Sequence, residues 1–515
     1  MTTLQSPAFG LPASGLTLAR AERTLFVLSV LAAAGIMWLA PRLPMTDLPQ
    51  HAAQVALWRD LLLGQSPWAD MVRINLMTPY LIGYGLMLPL SFVFSMETTT
   101  RLVLTLAFFA FVAVCVALRR EFRGDRRLDW LFLLPFFGFC WKWGFMTFLV
   151  ASPLGLLFIL LAARHARAPS AARGLGLAAA GTILLLSHGL VFLGALFLGG
   201  LLMLEQAWVH KTRSLLARFA PYAALSAICI GFRLATQQMA GAIKTSSFAY
   251  GTPIWERPLV WLTDIAHTGD PAPTTLLFLT IAILCAPFLL GLRLNARPAL
   301  VLLAGLLAIL SLTPMYAFET GGVFYRFALF LPPFVAFAFR APSSLDETAP
   351  RSRAALAALI ACSWLVIGIQ GSRVAAFAQE SKPFETLLAA AQPGKRALWM
   401  ILDGNSDAAG NESAYGHHAL WYQADKHGFV DFNFAFFPPQ VIRFRPERWP
   451  VRDTQDHLEI GAYTWPVAYM EQFSYMFMRG TDAKLELIRK MSPCPLTKVV
   501  SDHDWHLLER GACPQ

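Results

Sequence analysis

The sequence predicts an α-helical membrane protein that crosses the bilayer about eleven to thirteen times and ends in a small soluble α/β domain. Hydrophobic residues make up 56% of the 515 residues, charged residues make up only 14%, and the apolar residues come in long blocks. Such a chain is too apolar to fold around one soluble core. After residue 370 the long blocks disappear, and helix, turn and strand signals typical of a soluble domain replace them.

A helix needs about 20 mostly apolar residues to cross the hydrocarbon layer. The apolar blocks that suit such helices lie near residues 24–40, 77–94, 101–118, 129–142, 145–163, 174–188, 190–204, 217–234, 274–292, 298–313, 324–340 and 354–370. The two blocks on either side of His188, in the sequence SHG, are expected to form either two brief helices or one broken helix.

Clusters of Lys and Arg separate many of these blocks. Short basic loops are retained in the cytoplasm, so the clusters are expected there, and they account for the net charge of +10 without a nucleic-acid partner. The clusters are residues 119–127, 164–173, 210–218, 293–297 and 340–353.

The same rule leaves residues 371–515 on the external side of the membrane. A cytoplasmic N-terminus also makes Asp47 external, but two full crossings at 77–94 and 101–118 would then put the cluster at 119–127 outside. One of these two blocks is therefore expected to lie along the membrane surface or to re-enter.

The external segments carry an unusual number of ionisable groups. Charged side chains are costly close to lipid, so these groups are expected to line a polar cavity at the outer membrane surface. They are Asp47, His51, Asp70, Arg73, His188, Lys244, Arg257, Asp264, His267, Asp270, Glu319 and Arg326.

Structural roles remain open for several of these residues. The sequence TDLPQHAAQVALW has the polar start, early proline and periodicity of an amphipathic helix, for which Asp47 would be the N-cap. His188 could equally be a hydrogen-bonded residue of helix packing. Arg326 and Glu319 could pair with each other or with lipid headgroups.

The soluble tail has the elements of a small α/β domain. PFETLLAAAQ predicts a short helix, RALWMIL a buried strand, and TKVVSDHDWHLLER a closing hairpin. Cys494 and Cys513 are the only cysteines of the tail, which favours one disulfide in an oxidising compartment. The spacing of the histidines in the tail matches no standard zinc pattern, so a mixed surface set is expected.

Together these features resemble the GT-C superfamily of integral membrane glycosyltransferases. The shared features are a cytoplasmic N-terminus, an acid early in the first external loop, about a dozen spans and an external C-terminal domain. TPYLIGYGLMLPL followed by TTTRLVLTLAFFAFVAVCVALRR is similar to the second and third blocks of many bacterial members. The resemblance divides the chain into a transmembrane domain at 1–370, with external loops 41–76 and 235–273, and an external domain at 371–515.

The resemblance implies an enzyme of the bacterial inner membrane, with a periplasmic C-terminal domain, that serves envelope polysaccharide synthesis. Such an enzyme moves a sugar from a polyprenyl-phosphate carrier to a glycan, lipid or protein acceptor. Asp47 would be the general base that takes the proton of the acceptor hydroxyl. The lipid phosphate would be bound by Arg326 or Arg257, with Lys244 behind them, because a guanidinium offers two donors to phosphate oxygens. The remaining expected substrate-binding residues are His51, His188 and Glu319.

The sequence departs from the family pattern at one point. Many members have a second acid that helps to hold a divalent metal, whereas Asp47 is flanked by Thr46 and Leu48. Asp70 or Asp264 is the candidate second carboxylate; no cofactor is assigned, and a divalent metal stays open. Two alternative functions remain: a non-catalytic assembly protein for envelope polysaccharide, and a lipid or polysaccharide transporter, for which repeated halves are expected.

Overall fold

The computed structural model describes residues 13–209, 215–237, 248–266, 274–317, 320–347, 349–448 and 466–514. The predicted fold class, a helical membrane protein with a small C-terminal sheet domain, is confirmed. The α-helices of the described residues are α1 Ala13–Gly35, α2 Leu48–Leu62, α3 Leu81–Ser91, α4 Met96–Glu121, α5 Phe139–Lys142, α6 Met146–Arg167, α7 Ala171–Ser187, α8 Gly189–Val209, α9 Leu215–Gln237, α10 Arg257–Ile265, α11 Thr274–Leu284, α12 Ala286–Leu289, α13 Arg297–Leu312, α14 Val323–Arg326, α15 Leu331–Phe337, α16 Pro350–Glu380, α17 Lys382–Ala390, α18 Leu420–Lys426, α19 Val467–Met470 and α20 Asp482–Met491.

The strands are fewer and lie mostly in the C-terminal domain. They are β1 Val72–Ile74, β2 Arg293–Leu294, β3 Phe339–Arg340, β4 Arg396–Ile401, β5 Phe429–Val430, β6 Ile442–Phe444, β7 Tyr475–Arg479, β8 Leu496–Asp502 and β9 Trp505–Arg510.

Within the described residues, six helices are long and apolar enough to cross a membrane. Shorter apolar helices stand beside them at Leu81–Ser91, Ala171–Ser187, Thr275–Leu284, Arg297–Leu312 and Val323–Phe337. The six long segments are Arg20–Trp38, Met96–Glu121, Met146–Arg167, Gly189–Val209, Arg218–Thr236 and Pro350–Ala390.

Two of the apolar blocks that were expected to be spans are not single helices: residues 274–292 divide into α11 and α12, and residues 129–142 are broken more severely. Residues 129–142 form part of the 3₁₀ helix Arg126–Phe132, a second 3₁₀ turn at Pro135–Phe137, and α5. Pro135 has no N–H for the helical ladder, and the backbone of Gly138 approaches a neighbouring segment closely. These two residues interrupt the block, which therefore forms the wall of a cavity instead of a transmembrane rod.

The described residues of the basic clusters lie together at one end of the helix bundle. Arg126 pairs with Glu22 of α1 at 3.2 Å, so the cluster at 119–127 lies beside the start of the first helix. With 11 residues, α3 is about 16 Å long and does not cross a hydrocarbon layer of about 30 Å. Of these elements, α1 and α4 contain segments that are long and apolar enough to cross, and α3 does not. Other contacts between clusters are Arg127–Ser352, Arg126–Glu347, Arg164–Glu121, the backbone of Arg218 with His165, and the pairing of Arg293 with Arg340.

The C-terminal domain is built around a five-stranded sheet of order β5-β4-β7-β9-β8. Strand β4 is parallel to β5 and β7, whereas β7, β9 and β8 are antiparallel. The predicted short helix, buried strand and closing hairpin correspond to α17, β4 and the β8–β9 pair. Cys494 and Cys513 form a disulfide with their Cα atoms 4.4 Å apart, which ties the chain end to the segment before β8.

The first external loop is interwoven with this domain. Strand β1 pairs with β6, and Val72 lies opposite Phe444. On α2, the amides of Gln50 and Gln54 hydrogen-bond to the backbone of Phe434 and Ile442. The sequence predicts α2 as an amphipathic helix, but nearly all its residues are buried, because the C-terminal domain covers the polar face.

Buried ion pairs reinforce the junction. Arg42, only 3% exposed, contacts Glu97 at the start of α4 and Asp425 of α18, both at 2.7 Å, and also Glu385 of α17. One guanidinium thus joins the helix bundle to two helices of the C-terminal domain. The opening formed between the two domains at this end of the bundle contains the candidate site.

Candidate active site

A cavity of about 740 Å³ opens where the helix bundle, the first external loop and the C-terminal domain meet. Its ionisable lining residues are Asp47, His51, Lys142, Asp264, Arg326 and Glu412. Aromatic and amide side chains make up much of the remaining wall, including Tyr80, Phe139, Trp143, Phe145, Tyr316, Tyr325, Phe434, Phe437 and Gln440. Such a mixture suits a ligand with both polar and apolar parts.

Asp47 occupies the N-cap position of α2, but its carboxylate does not cap the helix. The nearest ionisable contact is with His417 of the C-terminal domain, whose Nε2 lies 3.2 Å from Oδ1 of Asp47. The helix start is stabilised instead by the early proline. The carboxylate is therefore available to the cavity and is not used up by helix capping.

The position of Asp47 depends on a glycine. The N–H of Asp47 donates to the carbonyl of Trp143 at 3.0 Å. Gly144, with φ +72°, follows directly, and a Cβ at this position would lie 2.7 Å from the backbone nitrogens of Asp47 and Leu48. Both the left-handed backbone and the close approach require glycine here.

Asp264 at the end of α10 lies on the same cavity. A Cβ on Gly138 would be 2.2 Å from the carbonyl oxygen of Asp264, so a second glycine lets this segment approach. Burial raises the pKa of Asp264 well above its ordinary value, although the Lys142 ammonium acts in the opposite direction. Its buried Oδ2 has no hydrogen-bond partner among the described residues. Of the two acids proposed as second carboxylate, Asp264 reaches the cavity, whereas the exposed Asp70 pairs with Arg448 at 3.6 Å.

His51 belongs to a buried chain of hydrogen bonds. The hydroxyl of Tyr84 donates to Oε1 of Gln440 at 2.5 Å, and Nδ1 of His51 lies 2.8 Å from the same hydroxyl. Tyr84 has one proton and gives it to Gln440, so Nδ1 of His51 must be the donor. Burial lowers the pKa of His51 to about 4, opposed by Asp47. The imidazole is therefore neutral, and Nε2 is left as a hydrogen-bond acceptor.

Arg326 is the buried cation of the cavity. Its guanidinium donates to the carbonyl of Gly321 at 2.8 Å and lies 3.6 Å from the centre of the Phe145 ring. Among the described residues, Arg326 has no carboxylate partner and its buried Nε makes no hydrogen bond. A buried guanidinium without an anionic partner can bind an anionic ligand.

Arg257 is placed differently. Its guanidinium donates to the carbonyls of Tyr250, Thr252, Leu310, Ser311 and Thr313, and it stacks on Phe324. These contacts use its donors to hold the loop before α10 against the end of α13. The structure does not bring Arg257 into the cavity.

The other expected residues divide into two groups. His188 is buried between α7 and α8, which are two separate helices, and its ring contacts those of Tyr80 and Phe148 at 5.1 and 5.2 Å. It therefore lies behind the cavity wall, and neither ring nitrogen has a partner in the described part of the chain. Lys244 and Glu319, together with His267 and Asp270, lie outside the described residues.

Sequence reasoning missed three ionisable residues of the site, Lys142, Glu412 and His417. Lys142, paired with Glu412 at 2.9 Å, lies in the block that was expected to be a span. A lysine inside an apolar block is itself a functional signal. His417 was counted with the surface histidines, and no local pattern indicates that it reaches Asp47.

Comparisons with known proteins give a structural match only. No protein-family model matches the sequence, and no curated protein sequence matches it either. The crystal structure of ArnT from Cupriavidus metallidurans bound to undecaprenyl phosphate superimposes with a TM-score of 0.58, over 96% of this chain and 98% of that one. The chain has the fold of ArnT.

The apo state of the same ArnT gives a TM-score of 0.56, with 95% of this chain and 98% of that chain covered. Sequence identity is 12% for the lipid-bound state and 11% for the apo state, so the similarity is one of fold. ArnT belongs to the GT-C glycosyltransferases, and the resemblance found in the sequence is thus confirmed at the level of fold.

Proposed function

We propose that this protein is a membrane glycosyltransferase that moves a sugar from a polyprenyl-phosphate-linked donor to a glycan, lipid or protein acceptor. The observation that carries the proposal is the Asp47 carboxylate, which occupies a helix N-cap position without capping and lines a large cavity. Support comes from the fold, which is that of a protein crystallised with undecaprenyl phosphate.

Asp47 acts as the general base. An acceptor hydroxyl becomes a competent nucleophile when a carboxylate within hydrogen-bond reach takes its proton during attack on the sugar carbon. The bond from that carbon to the lipid phosphate breaks as the new glycosidic bond forms, and the lipid phosphate leaves with the electron pair. The anionic character of the leaving group increases as this bond breaks, so a cation is needed on its side of the sugar.

Arg326 supplies that cation. Its guanidinium is buried, lines the same cavity as Asp47 and lacks an acidic partner in the described part of the chain. Lys142 is the second cation of the wall, although Glu412 already partly neutralises it. The neutral His51 offers an acceptor for a hydroxyl of the sugar or of the acceptor.

In this proposal the cavity lies on the external side of the membrane. The basic clusters meet at the end of the bundle near Glu22, which the positive-inside rule assigns to the cytoplasm. The cavity and the disulfide-containing C-terminal domain lie at the other end, so they face the periplasm of a bacterial inner membrane. A lipid-linked donor can then meet a water-borne or lipid-borne acceptor at the membrane surface.

A divalent metal is a feature of many GT-C enzymes, and the residues present do not fit one well. Asp47, Asp264 and His51 share the cavity, but the described residues contain no group of three His, Cys, Asp or Glu side chains close enough to hold an ion. The steps proposed above therefore use only side chains of this chain.

The decisive experiment compares wild type with Asp47→Asn at equal protein level in membranes. The assay measures transfer of a radiolabelled sugar from undecaprenyl phosphate into lipid or polysaccharide. Asparagine retains the size and capping ability of aspartate but cannot take a proton, so the rate should fall by about a hundredfold to ten-thousandfold.

The matched control is Asp70→Asn, an exposed first-loop carboxylate outside the cavity, and it should keep the wild-type rate. Equal transfer by wild type and Asp47→Asn would remove Asp47 from catalysis. No transfer by the wild type from any tested donor would favour the non-catalytic assembly protein.

A further inference from the structure

His417 comes from the C-terminal domain, just before α18, and its ring is firmly held. It stacks on Phe432 with ring centres 5.2 Å apart and packs edge-on against Phe434 at 5.9 Å. The ring centre of Trp399, in β4, lies 6.4 Å from that of His417. This aromatic packing fixes the position of the imidazole, whose Nε2 lies 3.2 Å from Oδ1 of Asp47.

Asp47 has few other restraints on its side chain. Its backbone is fixed by Trp143 and by the close approach of Gly144, but the carboxylate makes no capping hydrogen bond. Among the described residues, His417 is the only cationic or imidazole side chain within 4.0 Å of the carboxylate oxygens. The rotamer of the base therefore depends on a contact supplied by the other domain.

We infer that His417 is a positioning residue for Asp47: its Nε2 holds Oδ1, so that Oδ2 faces the acceptor. The inference rests on the proposed function, since it assigns a role to His417 through the base. It also gives the C-terminal domain a part in catalysis. Docking of that domain brings His417 to Asp47, and β1–β6 pairing and the amides of Gln50 and Gln54 hold the domain against the first external loop.

The chemistry of the contact explains why histidine serves here. A histidine brings a polar ring nitrogen to within ion-pair distance of a carboxylate while its ring remains packed against aromatic residues. Nδ1 of His417 is buried and has no hydrogen-bond partner among the described residues. Among the described residues, the polar contact of this ring is therefore the one between Nε2 and Asp47.

Two amide variants test the inference. In His417→Gln the side-chain nitrogen reaches about as far as Nε2, whereas in His417→Asn it stops about one bond short, near the position of Nδ1. Both amides are polar and uncharged, and thermal stability is measured for each variant because asparagine leaves the larger cavity. The control is His503→Gln, since His503 is 81% exposed on the β8–β9 turn, away from the cavity.

The assay is the transfer of radiolabelled sugar from undecaprenyl phosphate, with kcat and the donor KM measured for each variant in detergent-purified protein of checked thermal stability. His417→Asn should lower kcat by about tenfold to a hundredfold with little change in donor KM, and His417→Gln should stay within about threefold of wild type. His503→Gln should match the wild type.

A double-mutant cycle shows whether the effect passes through Asp47. In an Asp47→Asn background, His417→Asn should cause no further loss, because residues that act as one unit are not additive. Equal kcat for His417→Asn and wild type, or an undiminished loss in the Asp47→Asn background, overturns the positioning role. If Asp47→Asn itself transfers sugar at the wild-type rate, the proposed base fails, which is a separate result.

Discussion

The two ends of the helix bundle treat buried charge in opposite ways. At the basic end, Arg127 forms a two-pronged pair with Asp125, and Arg119 does the same with Asp129, at N–O distances of 2.9 Å. At the cavity end, Arg326 is buried and Asp264 is half-buried with a buried Oδ2, and neither has a charged partner in contact among the described residues. Removing a charge from water is costly unless a partner compensates for it.

The difference separates structural charges from functional ones. A paired arginine at the basic end stabilises the fold and has no remaining capacity for a ligand. An arginine kept buried without an acid lowers stability, so its retention indicates a ligand of opposite charge. Arg257 and Arg326 were equivalent candidates from sequence, and their partners distinguish them: backbone carbonyls saturate Arg257, whereas Arg326 is left with donor capacity.

The largest expected effect comes from exchanging these two kinds of arginine for methionine. Arg326→Met should reduce sugar transfer by about a hundredfold or more, as for the loss of one oriented donor to a developing anion, without lowering thermal stability. Arg127→Met should instead lower the free energy of unfolding by about 3–5 kcal/mol, because it leaves Asp125 buried without a cation. Transfer assays and thermal unfolding in detergent measure the two effects.

Arg326→Lys sharpens the contrast. A lysine retains the charge but not the planar pair of donors, so it should recover only part of the activity. Binding of undecaprenyl phosphate, followed as an increase in melting temperature, should be weakened by Arg326→Met and retained by Arg127→Met in the folded fraction. Normal transfer and lipid binding by Arg326→Met would show that an unpaired buried arginine here is not a ligand site.

A smaller effect is expected from the backbone that carries the site. Gly144→Ala forces a Cβ against the nitrogens of Asp47 and Leu48 in a left-handed conformation. A displacement of the base by a fraction of an ångström should lower the transfer rate by about tenfold to a hundredfold. The added Cβ in Gly85→Ala, within α3, meets no atom within 4 Å, so this control should leave the rate unchanged.

The two glycine variants are compared by transfer rate per folded molecule. A Gly144→Ala protein with full activity and wild-type stability would mean that the segment at 142–144 does not fix Asp47. Equal losses in both variants would point to a general effect of alanine substitution and not to the position of the base.

The sequence predicted the parts of this structure that depend on local pattern. Apolar block length, basic loops and proline placement are local properties, so most helices and the start of α2 followed from them. The pairing of the two tail cysteines followed from there being no other candidates in the tail. Asp47 could be nominated because an acid directly after a span is visible in one short stretch.

What could not be predicted depends on contacts between distant segments. The partners of Asp47 and Gln440, namely His417 and Tyr84, come from the other domain, and no periodicity encodes domain docking. The same docking buries the polar face of α2, which is why the amphipathic pattern was a poor guide to its exposure. Lys142 was missed for another reason: an apolar composition outweighed the proline and glycine that break its block.

The smallest expected effect concerns Asp264 and is mainly a dependence of stability on pH. Burial raises the pKa of Asp264 above its unfolded value, so the folded state binds this proton more tightly than the unfolded chain does. The stabilising contribution is therefore complete below the ordinary aspartate pKa of about 4 and is lost as pH rises through the folded-state pKa. Asp264→Asn cannot ionise and should lack this loss, so its stability advantage over wild type should grow as pH rises above about 4. Thermal unfolding at a series of pH values above about 4 measures the difference. Asp70→Asn, which removes an exposed carboxylate, should follow the wild-type curve.

Sugar transfer by Asp264→Asn should change by only about threefold, because asparagine keeps the hydrogen-bonding shape of a neutral carboxyl group. Parallel curves for wild type and Asp264→Asn would mean that Asp264 is ionised beside Lys142, and the cavity end would then contain a charge pair like those of the basic end.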